Sequence, residues 1–380
     1  MEKYSTEEQK RNPVVVGFDV HKDSISACVF DPSSGAICHE QTFKNESASL
    51  RRFVRRVRQR FGEPTCCYEA SSCGFVLYRF LHRLGVCCEV IAPSSMPRRA
   101  RDRIKNDRRD AEKLATLYAA GLLTPVRIPD EGEEAVRSLL RCRSALVDEL
   151  TRTRHRTTQF LQTRGLVFRG GSNWGQRFWA WLARIDLGGS DQLVLETYLH
   201  LIHYLEGQVT SLETQLSEEA QTGCFRETVR VLGAFRGVAL ITALTLAAEI
   251  GDIRRFAHPR QLMAYLGLVP SEYSSGSRIV QGPITKSGNR HARKALVSAA
   301  WKYAYRPARG HPLKRRQEAA SPAVVAISWK AQLRLYKRFH ALAFRKPRSV
   351  AAVAVARELV GFLWEAMHTL TPTPALAQAA

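Results

Sequence analysis

The 380-residue sequence predicts an α/β domain followed by an all-α remainder. Two patterns carry that expectation. Up to about residue 130, short β-branched runs alternate with amphipathic segments, whereas beyond Glu131 apolar residues recur at helical spacing over stretches too long for strands. A third observation concerns the partner. The chain has 57 Lys and Arg against 35 Asp and Glu, a net charge of +22. The excess recurs at 51–60, 98–109, 137–156 and 290–294 rather than sitting in one tail. Such a distribution suggests a polyanion, most simply nucleic acid, with a merely soluble basic protein as the plainer alternative.

The elements follow in order. "VVVGFDV" (Val14–Val20) is a buried strand, "SISACVFD" (Ser24–Asp31) alternates and follows closely, and "GAICHEQTF" (Gly35–Phe43) comes after a turn, so the three predict an antiparallel meander. Leu50, Phe53, Val54, Val57 and Phe61 form a helical stripe. "PTCCYEA" (Pro64–Ala70) is a fourth strand, Gly74–Gly85 a glycine-ended helix, and "VCCEVIAP" (Val86–Pro93) a fifth strand. A helix begins near Asp107. The order β β β α β α β α is the ribonuclease H-like arrangement, a mixed sheet with helices on its faces, in which strands one and four are neighbours. Sites in open α/β sheets lie at strand ends. Asp19 lies near the end of the first strand and Glu69 near the end of the fourth. Asp107 and Asp110 open the last helix, and their spacing puts them on one face. Each acid has an ordinary reading: a turn residue at Asp19, a helix cap at Glu69 or Asp107, or a solvated charged face in "KNDRRDAEKLA". Their joint placement is what points to a site, and His21 beside Asp19 could touch phosphate.

Beyond Glu131 a long basic amphipathic helix carries Val136, Leu139, Leu140, Leu146, Val147, Leu150, Phe160 and Leu161. A glycine-rich break (Arg169–Gly175) and a short aromatic helix follow, then a second long helix with Leu201, Leu205, Val209, Leu212 and Leu216. The pair predicts an antiparallel coiled-coil arm, a spacer or dimerisation device rather than a catalytic module. Phe178, Trp179 and Trp181 read as core rather than as a stacking platform. The turn Gly233–Gly237 between two helices could hold a phosphate or be an ordinary helical turn. "YSSGS" reads as a flexible loop, and "TPTPALAQAA" as a low-complexity tail.

Nine cysteines without a CxxC pair indicate neither a zinc site nor a thioredoxin-type motif, and they read as small core residues in a reducing cytoplasm. The polar N-terminus lacks a signal peptide's apolar segment. The longest apolar stretch, "VALITALTLAAEIG", is too short to span a bilayer. The expectation is a soluble intracellular protein with no membrane association.

Five blocks, "VVGFDVHKD", "CYEAS", "KNDRRDAEKLA", "AYLGLVPSEYSSGS" and "GPITKSGNRHARKALVSAAW", occur in order. With them the chain, over about 14–345, resembles the DEDD insertion-sequence transposases of the IS110 family, also called bridge-RNA-guided recombinases and related to Piv-type invertases. The resemblance implies a RuvC-like nuclease domain (14–130), a coiled-coil arm (131–225) and a helical C-terminal transposase domain (226–365); the flanking residues depart from a compact member of the family and are expected to be a disordered N-terminus (1–13) and a disordered tail (366–380). It implies that Asp19, Glu69, Asp107 and Asp110 are catalytic carboxylates holding Mg²⁺ or Mn²⁺, and that Ser275 is a catalytic serine, with Ser274 and Ser277 as its nearest rivals. It further implies donor and target DNA and a noncoding guide RNA, with a bacterial, nucleoid-associated location; the apolar stripes of the two long helices, and the need to hold two DNA partners together, add the expectation of a homodimer that becomes a tetramer on DNA. Hard oxygen donors among cations suit a metal-dependent phosphodiester enzyme. The rival reading is a metal-dependent nuclease or junction resolvase that uses water. A non-catalytic nucleic-acid binder is a third.

Overall fold

A computed structural model describes residues 13–93, 107–275, 278 and 280–370. The expected disordered N-terminus lies outside the described residues except for residue 13, as do most of the basic run 98–109, Gly276, Ser277 and residues 371–380 of the expected tail. The chain divides into two compact units, Met1–Ile128 and Pro129–Ala380.

The first unit is a five-stranded sheet with helices on both faces. Its strands are β1 (Val15–Val20), β2 (Ser24–Asp31), β3 (Ala36–Lys44), β4 (Thr65–Glu69) and β5 (Cys87–Ile91). The order across the sheet is β3-β2-β1-β4-β5. β1, β2 and β3 pair antiparallel; β4 pairs parallel with β1 and with β5. Strands one and four are therefore neighbours, with Phe18 opposite Tyr68. This is a mixed α/β domain consistent with a ribonuclease H-like fold.

Alternation along β1 decides what each face carries. Val16 and Phe18 join the larger core with Leu50, Phe53, Val54 and Val57 of α1 (Ser47–Phe61) and with Leu77 and Leu81 of α2 (Val76–Arg83). Val15 faces the other way and packs with Cys28 against Ala111 and Ala115 of α3 (Asp107–Ala119). On the same side, Cys67 and Ile91 pack against Leu114. Between Val15 and Asp19 stands Gly17. A Cβ there would lie 2.3 Å from the Ala111 carbonyl oxygen and 2.6 Å from the Ala115 nitrogen, so the backbone of α3 rests directly on β1.

The second unit is helical apart from one hairpin. α4 (Glu131–Gln162) and α6 (Gly189–Thr222) lie side by side. Arg143 pairs with Glu213 at 2.5 Å, Arg154 with Glu206, and Arg164 with Asp191 at 2.6 Å. Partners that descend on one helix as they rise on the other make the pair antiparallel. Leu150, Ile202 and Leu205 fill its middle. The short α5 (Gln176–Leu182) closes one end, where Phe178 and Leu182 are buried with Leu161 and Leu195, and Trp174, Trp179 and Trp181 pack around them. The aromatic cluster is core. The opposite end of the pair is built into the main helical core, because Val136, Leu140, Leu216 and Ala220 are buried with residues of the later helices.

That core is made by α7 (Arg226–Gly233), α8 (Leu240–Ile250), α9 (Pro259–Tyr265), α10 (Arg290–Ala300), α11 (His311–Gln317), α12 (Pro322–Ala343) and α13 (Arg348–Met367). The turn between α7 and α8 is packed inward. Phe235 and Val238 are fully buried, and the Ala234 carbonyl accepts from Gln317 at 2.9 Å and from Ser328 at 2.8 Å. Ala366 and Met367, within the expected tail, are buried in this core as the last turn of α13.

One ionic node ties three helices together. Glu249 of α8 is 2% exposed and accepts from Arg141 of α4 at 2.8 and 2.9 Å and from Asn289 at 2.6 Å. Arg137 stands 3.8 Å away. Asn289 also caps α10, its side-chain oxygen accepting from the His291 and Ala292 N–H groups. Burial pushes the Glu249 carboxyl up, but the Arg141 and Asn289 hydrogen bonds and the two arginine charges outweigh it and hold the group below the usual glutamate range.

The strand-to-helix contact at Gly17 makes a specific expectation. Gly17→Ala must push α3 off β1, because both atoms in the way are backbone. The cost should be roughly 1–3 kcal/mol, the usual penalty for overpacking, read as a lowered thermal midpoint. A variant as stable as the wild type would show that α3 is not seated as described.

Candidate carboxylate site at the end of the sheet

β1 ends with Asp19 on the face that α3 covers, two residues beyond Gly17. Glu69 ends β4 two residues beyond Cys67 and so leaves the strand on the same face. α3 begins at Asp107, with Asp107 and Asp110 in its first turn, where the helix N-terminus favours negative charge. The helix that packs on Gly17 therefore delivers its acidic end to the end of β1.

His21 completes the arrangement. Its Nε2 stands 3.2 Å from Asp19 Oδ2 and 3.4 Å from Asp107 Oδ1. The ring is carried on the β1–β2 turn, which is held by His21 N–H donating to the Ser24 carbonyl at 2.9 Å and by Asn45 donating to the His21 carbonyl at 2.8 Å. One ligand atom each from Asp19, His21 and Asp107 lies within 4.8 Å of the others. Glu69 is outside that trio but lines the same cavity of about 600 Å³ as Asp19, His21 and Asn45. Asp110 is also outside the trio, although its charge acts on Asp19.

The electrostatics fit a cation. Burial raises the Asp19 carboxyl above its usual range; His21 pulls it down, and the nearby Asp107 and Asp110 charges push it up again. Like charges held this close favour a positive ion among them, and two carboxylates plus an imidazole are a donor set suited to a divalent metal. Of the four acids singled out in the sequence, the structure brings Asp19 and Asp107 to ligand distance of a shared point, places Glu69 on the cavity that Asp19 and His21 line, and leaves Asp110 outside the trio in the same first turn of α3. The trio member with the weakest sequence signal is His21. Its position two residues after Asp19 was visible, but its reach to Asp107 depends on how α3 packs.

Ser275 belongs to the second unit. It sits at the tip of a hairpin formed by β6 (Pro270–Glu272) and β7 (Gln281–Ile284), where its N–H and carbonyl exchange hydrogen bonds with Arg278 at 3.1 Å each. The sequence reads this stretch as a loop, since short strands interrupted by Pro270, Gly282 and Pro283 carry little strand signal. Ser274 donates its hydroxyl to Glu272 at 2.8 Å. Ser275 is exposed, and its hydroxyl has no partner among the described residues.

A mixed sheet with carboxylates gathered at the end of its central strand, on a strongly basic chain, defines an enzyme that works on nucleic-acid phosphodiesters. Comparison with known proteins identifies which kind. Residues 16–164 match a family model described as transposase, and residues 229–313 match one described as transposase of the IS116/IS110/IS902 family. The y4qE protein of Sinorhizobium fredii, which bears a transposase name, is 39% identical over 92% of this chain and 87% of its own length. The transposase for insertion sequence element IS1533 of Leptospira borgpetersenii is 32% identical over 87% of this chain and 97% of its own. The transposase for insertion sequence element IS1111A of Coxiella burnetii is 28% identical over 75% of this chain and 76% of its own. The chain belongs to the IS110 family of insertion-sequence transposases, and it is a DNA-processing enzyme. Among the described residues, no helix is long and apolar enough to cross a membrane.

The donor set gives a direct test that needs no DNA. Adding a divalent cation at about 100 times its dissociation constant should stabilise the folded protein by about 2.7 kcal/mol, seen as a raised thermal midpoint. The double variant Asp19→Asn, Asp107→Asn should lose that increment. An equal increment in the double variant would place the cation elsewhere.

Proposed function

We propose that this transposase cuts and rejoins DNA strands with Ser275 as nucleophile and with Mg²⁺, or Mn²⁺ in its place, held by Asp19, Glu69, Asp107 and Asp110. The observation that carries the reading is the meeting of Asp19, His21 and Asp107 within 4.8 Å at the end of β1. A bound divalent ion would supply neutralisation of the charge that gathers on phosphate oxygens as a strand is cut. His21, whose Nε2 stands 3.2 Å from Asp19 and 3.4 Å from Asp107, keeps both carboxylates turned toward a common point. The surrounding arginines and lysines hold the DNA backbone, so binding and cutting rest on different residues.

The serine step conserves the ester. The Ser275 oxygen bonds to phosphorus as the bond from phosphorus to the leaving strand's oxygen breaks. The hydroxyl proton ends on the solvent or the departing oxygen, and the number of phosphate ester bonds is unchanged. The free, exposed hydroxyl of Ser275, against the Ser274 hydroxyl engaged by Glu272, supports this choice between neighbours. A noncoding guide RNA that pairs with donor and target DNA follows from the resemblance of the motif blocks alone.

The expected outcomes are these. Asn at Asp19, Asp107 or Asp110, or Gln at Glu69, should slow strand cleavage by at least about 100-fold, the scale of losing a group that stabilises transition-state charge, with DNA binding retained. Ser275→Ala should abolish cleavage and joining, and Ser274→Ala should be much milder. On a denaturing gel with a nicked substrate that cannot rejoin, wild-type protein should give a DNA-linked band requiring Mg²⁺ and Ser275. Full strand exchange by Ser275→Ala would favour water as the nucleophile.

We further propose that the α4–α6 pair acts as a coiled-coil arm joining two copies of the chain, which become a tetramer on DNA. Leu193, Leu201 and Tyr204 of α6 are 66%, 38% and 63% exposed along one face of the helix, a stripe that a partner would cover. Light scattering should find a dimer without DNA and a larger assembly with it; monomer under both conditions would remove the idea.

A further inference from the structure

Residues 301–348 hold thirteen Lys or Arg and a single acid, Glu318. Residues 314–348, with α12 among them, lie beyond the second family match, which ends at residue 313. The carboxylate site and Ser275 do not account for this charge. α12 runs through the middle of the segment, and its sequence repeats large rings and apolar groups on one outer face: Trp329, Leu333, Tyr336, His340 and, just past the helix, Phe344. Steps of four, three, four and four residues keep these side chains in one stripe.

The stripe is open to solvent. Trp329 is 38% exposed, Leu333 43% and Phe344 90%. Next to it, the 3₁₀ turn Trp301–Ala304 adds the partly exposed ring of Trp301. Trp301 meets Phe339 of α12 with ring centroids 6.0 Å apart, and His340 Nε2 lies 3.0 Å from the Ala304 carbonyl. Tyr305, directly after the turn, is 66% exposed. The half-buried Tyr336 and the exposed His340 hold their rings tilted to one another with centroids 4.6 Å apart. Beside the stripe, Lys330 pairs with Glu365 of α13, and further round α12 Arg334 and Arg338 pair with Glu358. Lys337, on the same flank as Lys330, and Lys302 and Arg306, near the 3₁₀ turn, have no acidic partner among the described residues.

A monomer gains nothing by exposing this many rings. A second copy of the chain is a poor cover, because it would bring the same cations against these. We propose that this face binds an unpaired stretch of DNA, the bases stacking on Trp329, Tyr336 and Tyr305 and the phosphates meeting Lys302, Arg306 and Lys337. Rings interleaved with unpaired cations are the chemistry that unpaired bases need, because each base offers a flat π-face once it leaves the duplex. A duplex keeps its bases inside the stack and could use only the cations. A transposase that cuts and transfers strands produces such unpaired DNA, so the occupant is a product of the chain's own activity.

The test measures binding alone and so is independent of which residue cuts. Fluorescently labelled oligothymidylate, a duplex of equal length and an RNA of equal length are titrated with the full chain. The wild type should bind the single-stranded DNA more tightly than the RNA. Replacing Trp329 and Tyr305 by Ala should weaken single-strand binding at least tenfold, while duplex binding should change less than twofold. Trp329→Phe should restore most of the loss. Should the double Ala variant fail to fold, Lys337→Glu, a change at an exposed position, must still weaken single-strand binding several-fold and lower its salt dependence. Equal losses for single strand and duplex, or no loss in either variant set, would overturn the proposal. Tighter binding of the RNA, lost in the same variants, would overturn the assignment to DNA.

Discussion

The site depends on an absence. At residue 17 the chain has no side chain, so the backbone of α3 can settle on β1 with the Ala111 carbonyl and the Ala115 nitrogen where a Cβ would otherwise be. Everything at the acidic end follows from that contact. With α3 anchored at Ala111 and Ala115, its first turn overhangs the end of β1, and Asp107 reaches His21 and Asp19. A helix held even a side chain's thickness further away would keep its dipole and its acids but lose their common point. The Asp19 carboxyl shows the cost of closeness: burial and two like charges raise it, and only His21 works in the other direction. A cation placed among them would relieve that repulsion, which is what the metal-dependent reading proposed above uses.

The second unit solves a different problem with a charge pair. Its long helices α4 and α6 need a fixed root, and the buried carboxylate of Glu249 provides one by holding Arg141 of α4 and the cap residue of α10 together. A buried ion pair seldom adds net stability over well-packed apolar groups, but it penalises every arrangement in which one partner is left alone. Here it fixes the register of α4 against α8 and α10. The same Asn289 that receives this support starts the helix following the hairpin that carries Ser275, so the strand pair and the arm are referred to one point in the core.

The sequence made the sheet legible because each strand there is short, β-branched or apolar, and bounded by turn residues, so that the five strands and three helices lie within a residue or two of where the patterns put them. The acids were legible as positions at strand and helix ends. What stayed hidden was distance. Nothing local says that His21 will touch Asp107, because that depends on the Gly17 contact between elements about a hundred residues apart. Nor does spacing alone separate Asp110 from Asp107; both occupy one face, yet only one reaches the trio. The β6–β7 hairpin was hidden for another reason. Its strands are three and four residues long and contain Pro270 and Pro283, so the pairing is set by the Ser275–Arg278 bridge and the surrounding fold rather than by propensity. The Glu249 node was invisible too, since a lone glutamate ending an apolar helix reads as surface.

The distribution of charge links these parts. A chain at +22 that gathers Asp19 and Asp107 in a tight group keeps apart two kinds of charge that would otherwise conflict. Carboxylates repel a polyphosphate backbone, so an acidic site can approach DNA only if the attraction is supplied from elsewhere and in excess. The first unit keeps its acids where the sheet ends, and the second holds a run of thirteen cations against one acid in residues 301–348. Attraction by that excess does not distinguish a cut strand from an intact one. Rings do, because only unpaired bases can stack on them. On the single-strand reading proposed above, the exposed Trp329 and Tyr305, with the half-buried Tyr336 and the free cations, would hold a strand more tightly after it leaves the duplex than before, and would bias strand exchange forward without any change at the carboxylates.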